Sequence, residues 1–123
     1  MIDVTDRFEV LDNQISREIG SKVELKKDTY WKSVRIPKQQ KIYVGVTRYA
    51  NGATGENLST HLFYVDSDNI IIALGPQDKI VPWDKNGIFE LNFPPNSVAV
   101  YATSSVKNSA GRINPIQVFK IVS

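Results

Sequence analysis

From Ser21 to the C-terminus, short runs of alternating apolar and polar residues recur, each closed by a turn signal. A strand shows its two faces with period two, so this rhythm constrains the chain more than any other feature. Lys41–Ala50 is the cleanest case: Ile42, Val44 and Val46 share one face, and Tyr43, Thr47 and Tyr49 share the other. Asn51-Gly52 then signals a turn, and the polar stretch Asn51–Ser59 reads as a loop. Upstream, Val23, Leu25 and the run Tyr30–Ile36 read as strands with interleaved lysines, stopped by Pro37. Downstream, Thr60–Asp66 and Asn69–Leu74 are split by Asp66-Ser67-Asp68, the pattern of a hairpin. Lys79–Trp83 is a short strand candidate, followed by a turn at Asp84-Lys85-Asn86-Gly87. Ile88–Phe93 places Phe89, Leu91 and Phe93 on one face. Ser97–Ser104 sets Val98, Val100 and Ala102 against Ala99, Tyr101 and Thr103. Lys107–Gly111 reads as a loop, and Ile116–Val122 as a closing strand. The expectation is an all-β fold: an antiparallel β-sandwich of jelly-roll or Greek-key type with about eight strands.

The first twenty residues follow another rhythm. Val4, Phe8, Leu11, Ile15 and Ile19 recur at spacings of three and four, the stripe of an amphipathic α-helix. Asp3 or Thr5 stands where a helix starts, and Gly20 where one ends. The chain therefore divides into an N-terminal amphipathic helix over 1–20, acting as an assembly or docking arm, and a β-sandwich domain over 21–123. The stripe from Val4 to Ile15 also follows a heptad seam, so it fits self-assembly as well as packing on its own domain.

A chain of 123 residues forms one domain with a core of its own. It has no cysteine, which excludes disulfides, thiolate metal sites and cysteine nucleophiles. The acidic start MIDVTDRFEV is unlike a signal peptide, and the longest apolar run, Ile70–Leu74, is too short to span a bilayer. The net charge of +2 is distributed unevenly, with −3 on residues 1–20 and +6 on residues 21–48. A basic stretch of this kind attracts phosphate or an acidic surface, although lysines on strands equally guard sheet edges.

No catalytic constellation emerges. His61 is the only histidine, so any serine triad must use it as the base, and no second or third nitrogen or sulfur ligand completes a transition-metal site. It falls on the strand face of Phe63 and Val65, where a packed histidine is the commoner case. Asp66, Asp68, Asp78, Asp84 and Glu90 could supply a carboxylate pair, but all except Glu90 lie in turn-like stretches where Asp bonds its own backbone. Asp66–Asn69 and Asp84–Gly87 resemble fragments of calcium loops without the closing Glu, and Gly52–Gly55 lacks the Lys of a P-loop. Trp31 and Trp83 flank loop segments and are the candidate ligand-facing aromatics, able to stack on sugars or bases.

Several stretches resemble small structural proteins of tailed-bacteriophage virions: decoration, head-fibre and baseplate or receptor-binding proteins. They are Ile36-Pro37 leading into Ile42-Tyr43-Val44, the Asn51-Gly52 loop, Gly87-Ile88-Phe89, Pro95–Tyr101 and the closing Val118–Ile121. The resemblance implies a compact sandwich or jelly roll that works as a homo-oligomer, often a trimer, located in the virion. The expected function is a non-enzymatic structural or attachment protein without cofactor, metal or catalytic residues. Its assembly helix would present Val4, Phe8, Leu11, Ile15 and Ile19, and its loops would meet another virion protein or a cell-surface glycan. The alternative is a carbohydrate-binding module using Trp31 and Trp83. A single-stranded nucleic-acid-binding barrel and a carboxylate-dependent hydrolase rank below both.

Overall fold

The computed structural model describes residues 1–15, 18–28, 31–49, 58–75, 85–105 and 116–121. Eleven strands occur among them: β1 Ile2–Asp3, β2 Val10–Leu11, β3 Asn13–Ile15, β4 Leu25–Lys27, β5 Trp31–Pro37, β6 Ile42–Tyr49, β7 Leu58–Val65, β8 Ile71–Leu74, β9 Lys85–Glu90, β10 Ala99–Ser105 and β11 Val118–Lys120. The one helical element among them is a 3-10 turn, Thr5–Arg7. All strand pairs are antiparallel.

Nine strands form one hydrogen-bonded sheet that doubles back on itself, seven on a single path with β8 and β9 branching from β7 and β6. The first leaf runs β1-β11-β6-β9 and the second β2-β5-β10-β7-β8. Among the described residues the leaves join where Arg48 pairs with Ser59 and Tyr49 with Leu58. Between the leaves lies the main core: Ile42, Val44 and Val118 from the first, and Val34, Ile36, Leu62, Tyr64, Val100 and Ala102 from the second. The arrangement is thus sandwich-like. β3 and β4 form a separate two-stranded sheet. β3 lies against β5 and β10. Its Ile15 joins Phe63, Val65, Ile71, Ala99 and Tyr101 in a second cluster on the outer side of the second leaf. β10 is consequently buried along its whole length.

The N-terminal α-helix is not formed. Residues 1–15 fold as β1, the 3-10 turn, β2 and β3, each strand pairing with a distant partner: β1 with β11, β2 with β5, β3 with β4. Asp3 does accept the Thr5 N–H at 2.9 Å, but the turn it opens lasts three residues before Phe8 turns extended. An isolated helix of this length is marginal, whereas strand edges offer backbone bonds and buried surface together. The apolar stripe is spent on different faces. Val4 is buried in the main core with Phe8 against it, Leu11 is half-buried on β2, Ile15 belongs to the outer cluster, and Ile19 is 61% exposed. Gly20 occupies a positive-φ position (φ 94°) rather than a helix end, and its N–H donates to Ile71 O.

The hairpin expected around Asp66-Ser67-Asp68 is present. Asp66 Oδ1 accepts the N–H groups of Asp68 and Ile70, and Asn69 takes a left-handed φ of 63°. The β6 alternation also holds for Ile42 and Val44, which are buried, and for Tyr43, which is half-buried on the other face. The expected turn at Asp84–Gly87 is in part strand, since Lys85–Gly87 open β9. The strand candidate at Lys79–Trp83 lies outside the described residues.

Candidate functional site

Strand direction brings several strand ends together at one end of the sandwich. The C-terminal residues of β6 and β10 and the N-terminal residues of β5, β7 and β9 are register neighbours: Arg48 with Ser59 and Lys85, Ser104 with Thr60, Ser105 with Trp31. Segments 50–57, 76–84 and 106–115 join strands whose ends point this way.

The strand ends here differ from the rest of the core. Of the buried polar side chains among the described residues, Ser33, Thr60, Thr103, Ser104 and Ser105 lie at this end, and only Ser97 lies elsewhere. Thr60 Oγ1 and Ser104 Oγ share a hydrogen bond of 2.8 Å on the inward face. On the outward face, Ser33, Thr103 and His61 stand in one cross-strand row. Ser33 Oγ and Thr103 Oγ1 are fully buried without a hydrogen-bond partner among the described residues. Beside them Trp31 stacks on His61 with ring centroids 6.1 Å apart, and His61 on Phe63 at 6.5 Å. Trp31, a sequence candidate, is half-buried in this file of rings, and Trp83 lies outside the described residues. His61 does lie on the face of Phe63 and Val65, as its strand position indicated. What the sequence hid was the row itself, because Ser33, His61 and Thr103 are far apart along the chain and meet only through strand pairing.

A second concave feature lies along the edge between β8 and β9. A cleft of about 310 Å³ opens there, lined by Leu62, Tyr64, Ala73, Leu74, Phe89 and Asn92, among others. Burial raises the pKa of the Tyr64 hydroxyl above its ordinary value of 10.0, while a hydrogen bond with the Asn92 backbone acts in the opposite sense. A more polar cleft of about 500 Å³ adjoins it, with Lys38, Gln39, Gln40 and Lys41 on its walls and Glu90 and Asn92 shared between the two.

The remaining candidates are scattered. Asp66 serves its turn, Glu90 is an exposed residue at the margin of both clefts, and Asp78 and Asp84 lie outside the described residues. Among the described residues no group of three His, Asp or Glu could hold a metal ion. The basic residues of 21–48 are spread over several elements. Lys26 and Lys27 are on β4, Lys32 pairs with Asp12, and Lys38 and Lys41 flank the β5–β6 turn. No described helix is long and apolar enough to cross a membrane. Compared with protein-family models, curated proteins and solved structures, the chain matches none.

Proposed function

We propose that this chain is a non-enzymatic structural or attachment module, a component of a phage particle, that meets its partner with the end of the sandwich carrying segments 50–57 and 106–115. The observation that supports this reading is that the strand ends from which segments 50–57 and 106–115 leave are register neighbours at one end of a packed two-leaf scaffold. Binding residues are commonly carried on loops that a rigid scaffold positions. Self-assembly through an N-terminal helix is no part of the proposal, because that helix is absent.

The test is adsorption of the fluorescently labelled full chain to a panel of bacterial cells and cell-envelope preparations. Saturable binding to at least one is expected, weakened about tenfold or more when residues 107–110 are replaced by Gly-Ser, a loss of about 1.4 kcal/mol. Indifference of wild type to the whole panel would sink the reading.

A second reading, binding of a cell-surface glycan, is favoured by the Trp31–His61 file of stacked rings. Rings stack on sugar faces, and Trp31 and His61 are each only half-buried, so part of the file is accessible. It predicts a glycan-array signal that Trp31→Ala reduces without lowering the melting temperature. Binding that responds to the 107–110 replacement but not to Trp31→Ala leaves attachment standing and removes the glycan platform.

A further inference from the structure

The two long edges of the sandwich are finished differently. At one, the N-terminal segment seals the gap between the leaves: the Val4 N–H donates to Val118 O at 2.8 Å, Val4 is buried, and Phe8 packs on the core. At the other, β8 and β9 belong to different leaves, and the cleft of about 310 Å³ lies between them. Ala73 makes the room. It stands opposite Tyr64 in the register and faces the interior, where the neighbouring interior positions carry Leu62 and Phe89.

The lining has the composition of a small-molecule site rather than of a protein contact patch. Such sites are concave, mostly apolar and roughly 300–1,000 Å³ in volume, with a few fixed polar groups. Leu62, Ala73, Leu74, Phe89 and Pro94 supply apolar wall. Tyr64 carries the one hydroxyl among the lining residues. Tyr64 is 6% exposed, and the edge of its ring contact with Phe93 (centroids 5.5 Å, interplanar angle 83°) fixes its plane. The Asn92 backbone bonds to the hydroxyl, and a phenol that accepts one hydrogen bond can still donate its own proton. Desolvation keeps that proton on the oxygen, so the group acts as a donor at neutral pH. A charged ligand would lose its hydration among these walls without gaining an opposite charge, apart from the rim Glu90 and the lysines of the adjoining polar cleft. We infer that the β8–β9 cleft is a binding site for a small, neutral, largely apolar molecule with one hydrogen-bond acceptor, which Tyr64 Oη recognises. This site is separate from the loop-bearing end and stands or falls independently of the attachment reading.

The experiment titrates the full chain with prodan, a neutral aromatic ketone whose emission moves to the blue in apolar surroundings, and with naphthalene as the acceptor-free comparison. Wild type is expected to bind prodan saturably. Ala73→Leu fills the cleft and should weaken prodan binding about tenfold or more, with no fall in melting temperature. Tyr64→Phe should weaken prodan about fivefold, the effect of one neutral hydrogen bond, and leave naphthalene unchanged. Amide shifts on titration should centre on Ala73, Phe89 and Asn92, which locates the probe even if Ala73→Leu does not fold. The inference is overturned by the absence of a saturable blue shift, by equal affinity in a folded Ala73→Leu chain, or by amide shifts centred elsewhere.

Discussion

Gly75 follows β8 at a point where no side chain fits. A Cβ built there would stand 2.5 Å from Leu62 Cβ and 2.8 Å from Leu62 Cδ1, and the Gly75 N–H already donates to Leu62 O at 2.8 Å. Neither partner can retreat without breaking that bond. Gly75→Ala is therefore expected to cost about 1–3 kcal/mol of stability in urea unfolding, as an overpacked site does; a midpoint equal to wild type would show that the strand end shifts freely. Thr103→Val should have the opposite character. Its hydroxyl is buried and unpaired among the described residues, and a buried hydroxyl without a partner costs roughly 1–3 kcal/mol. Stability is expected to stay level or rise, and a clear fall would reveal a partner for that oxygen. Asp3 adds a pH-dependent contribution. The Thr5 hydroxyl donates to Asp3 Oδ1 at 2.5 Å and accepts from the Val118 N–H at 2.9 Å, so the carboxylate holds the latch that ties the N-terminus to β11. The Thr5 side chain and then the Thr5 N–H lower the Asp3 pKa below its ordinary value of 3.8. A lowered folded value means that the contribution is present above the unfolded pKa and is lost as pH falls through the folded one. Because Asp3 is exposed, the effect is small, about a few tenths of a kcal/mol. Asp3→Asn should slightly flatten the fall in melting temperature below about pH 4, and an unchanged acid slope would exclude the latch.

Among the elements, β1, β2 and β3 carry the clearest consequence. They extend the first leaf, extend the second, and cover the outer face of the second. A chain beginning at Ser21 loses all three, together with Val4 and Ile15 from the two clusters. Such a chain is expected to lose cooperative unfolding, and the point variant Ile15→Asp to lose about 3 kcal/mol or more through a buried charge. If the chain from Ser21 melts like the full one, the N-terminal strands contribute nothing to the fold. The sequence misread these elements for an identifiable reason. Apolar residues at spacings of three and four suit a helix, but they also suit a chain that touches a different surface at each turn. Periodicity reports that Val4, Phe8, Leu11 and Ile15 need burial; it does not say that they are buried on the same side. In β6, which has strand neighbours on both sides, alternation read correctly at Ile42, Tyr43 and Val44.

For the whole molecule, burial sets the order of opening. β10 lies between β5 and β7, is covered inside by the first leaf and outside by Ile15, and is buried from Ala99 to Ser105. Its amides should exchange with solvent most slowly, at the rate of global unfolding, while Ile2 and Asp3 of exposed β1 exchange much faster. Faster exchange in β10 than in β6 would contradict the two-sided covering. The functional sites follow the same logic. Trp31 was legible as a candidate because an aromatic beside a loop stands out. The Ser33–Thr103–His61 row and the Ala73 cleft were not legible, because each is created by register between segments distant in sequence.

By itself the sequence determined that this chain is β-rich, that Asp66–Asn69 is a tight turn, and that Ile42 and Val44 share a face of β6 opposite Tyr43, since these depend on neighbours within a few positions. Tertiary structure alone decided that the first fifteen residues form three short strands around a 3-10 turn, that buried hydroxyls gather at one end of β5, β7 and β10, and that one edge is sealed while the other holds a cleft. Those outcomes depend on which strands pair and which faces meet, and pairing energy comes from contacts that exist only after distant segments have come together.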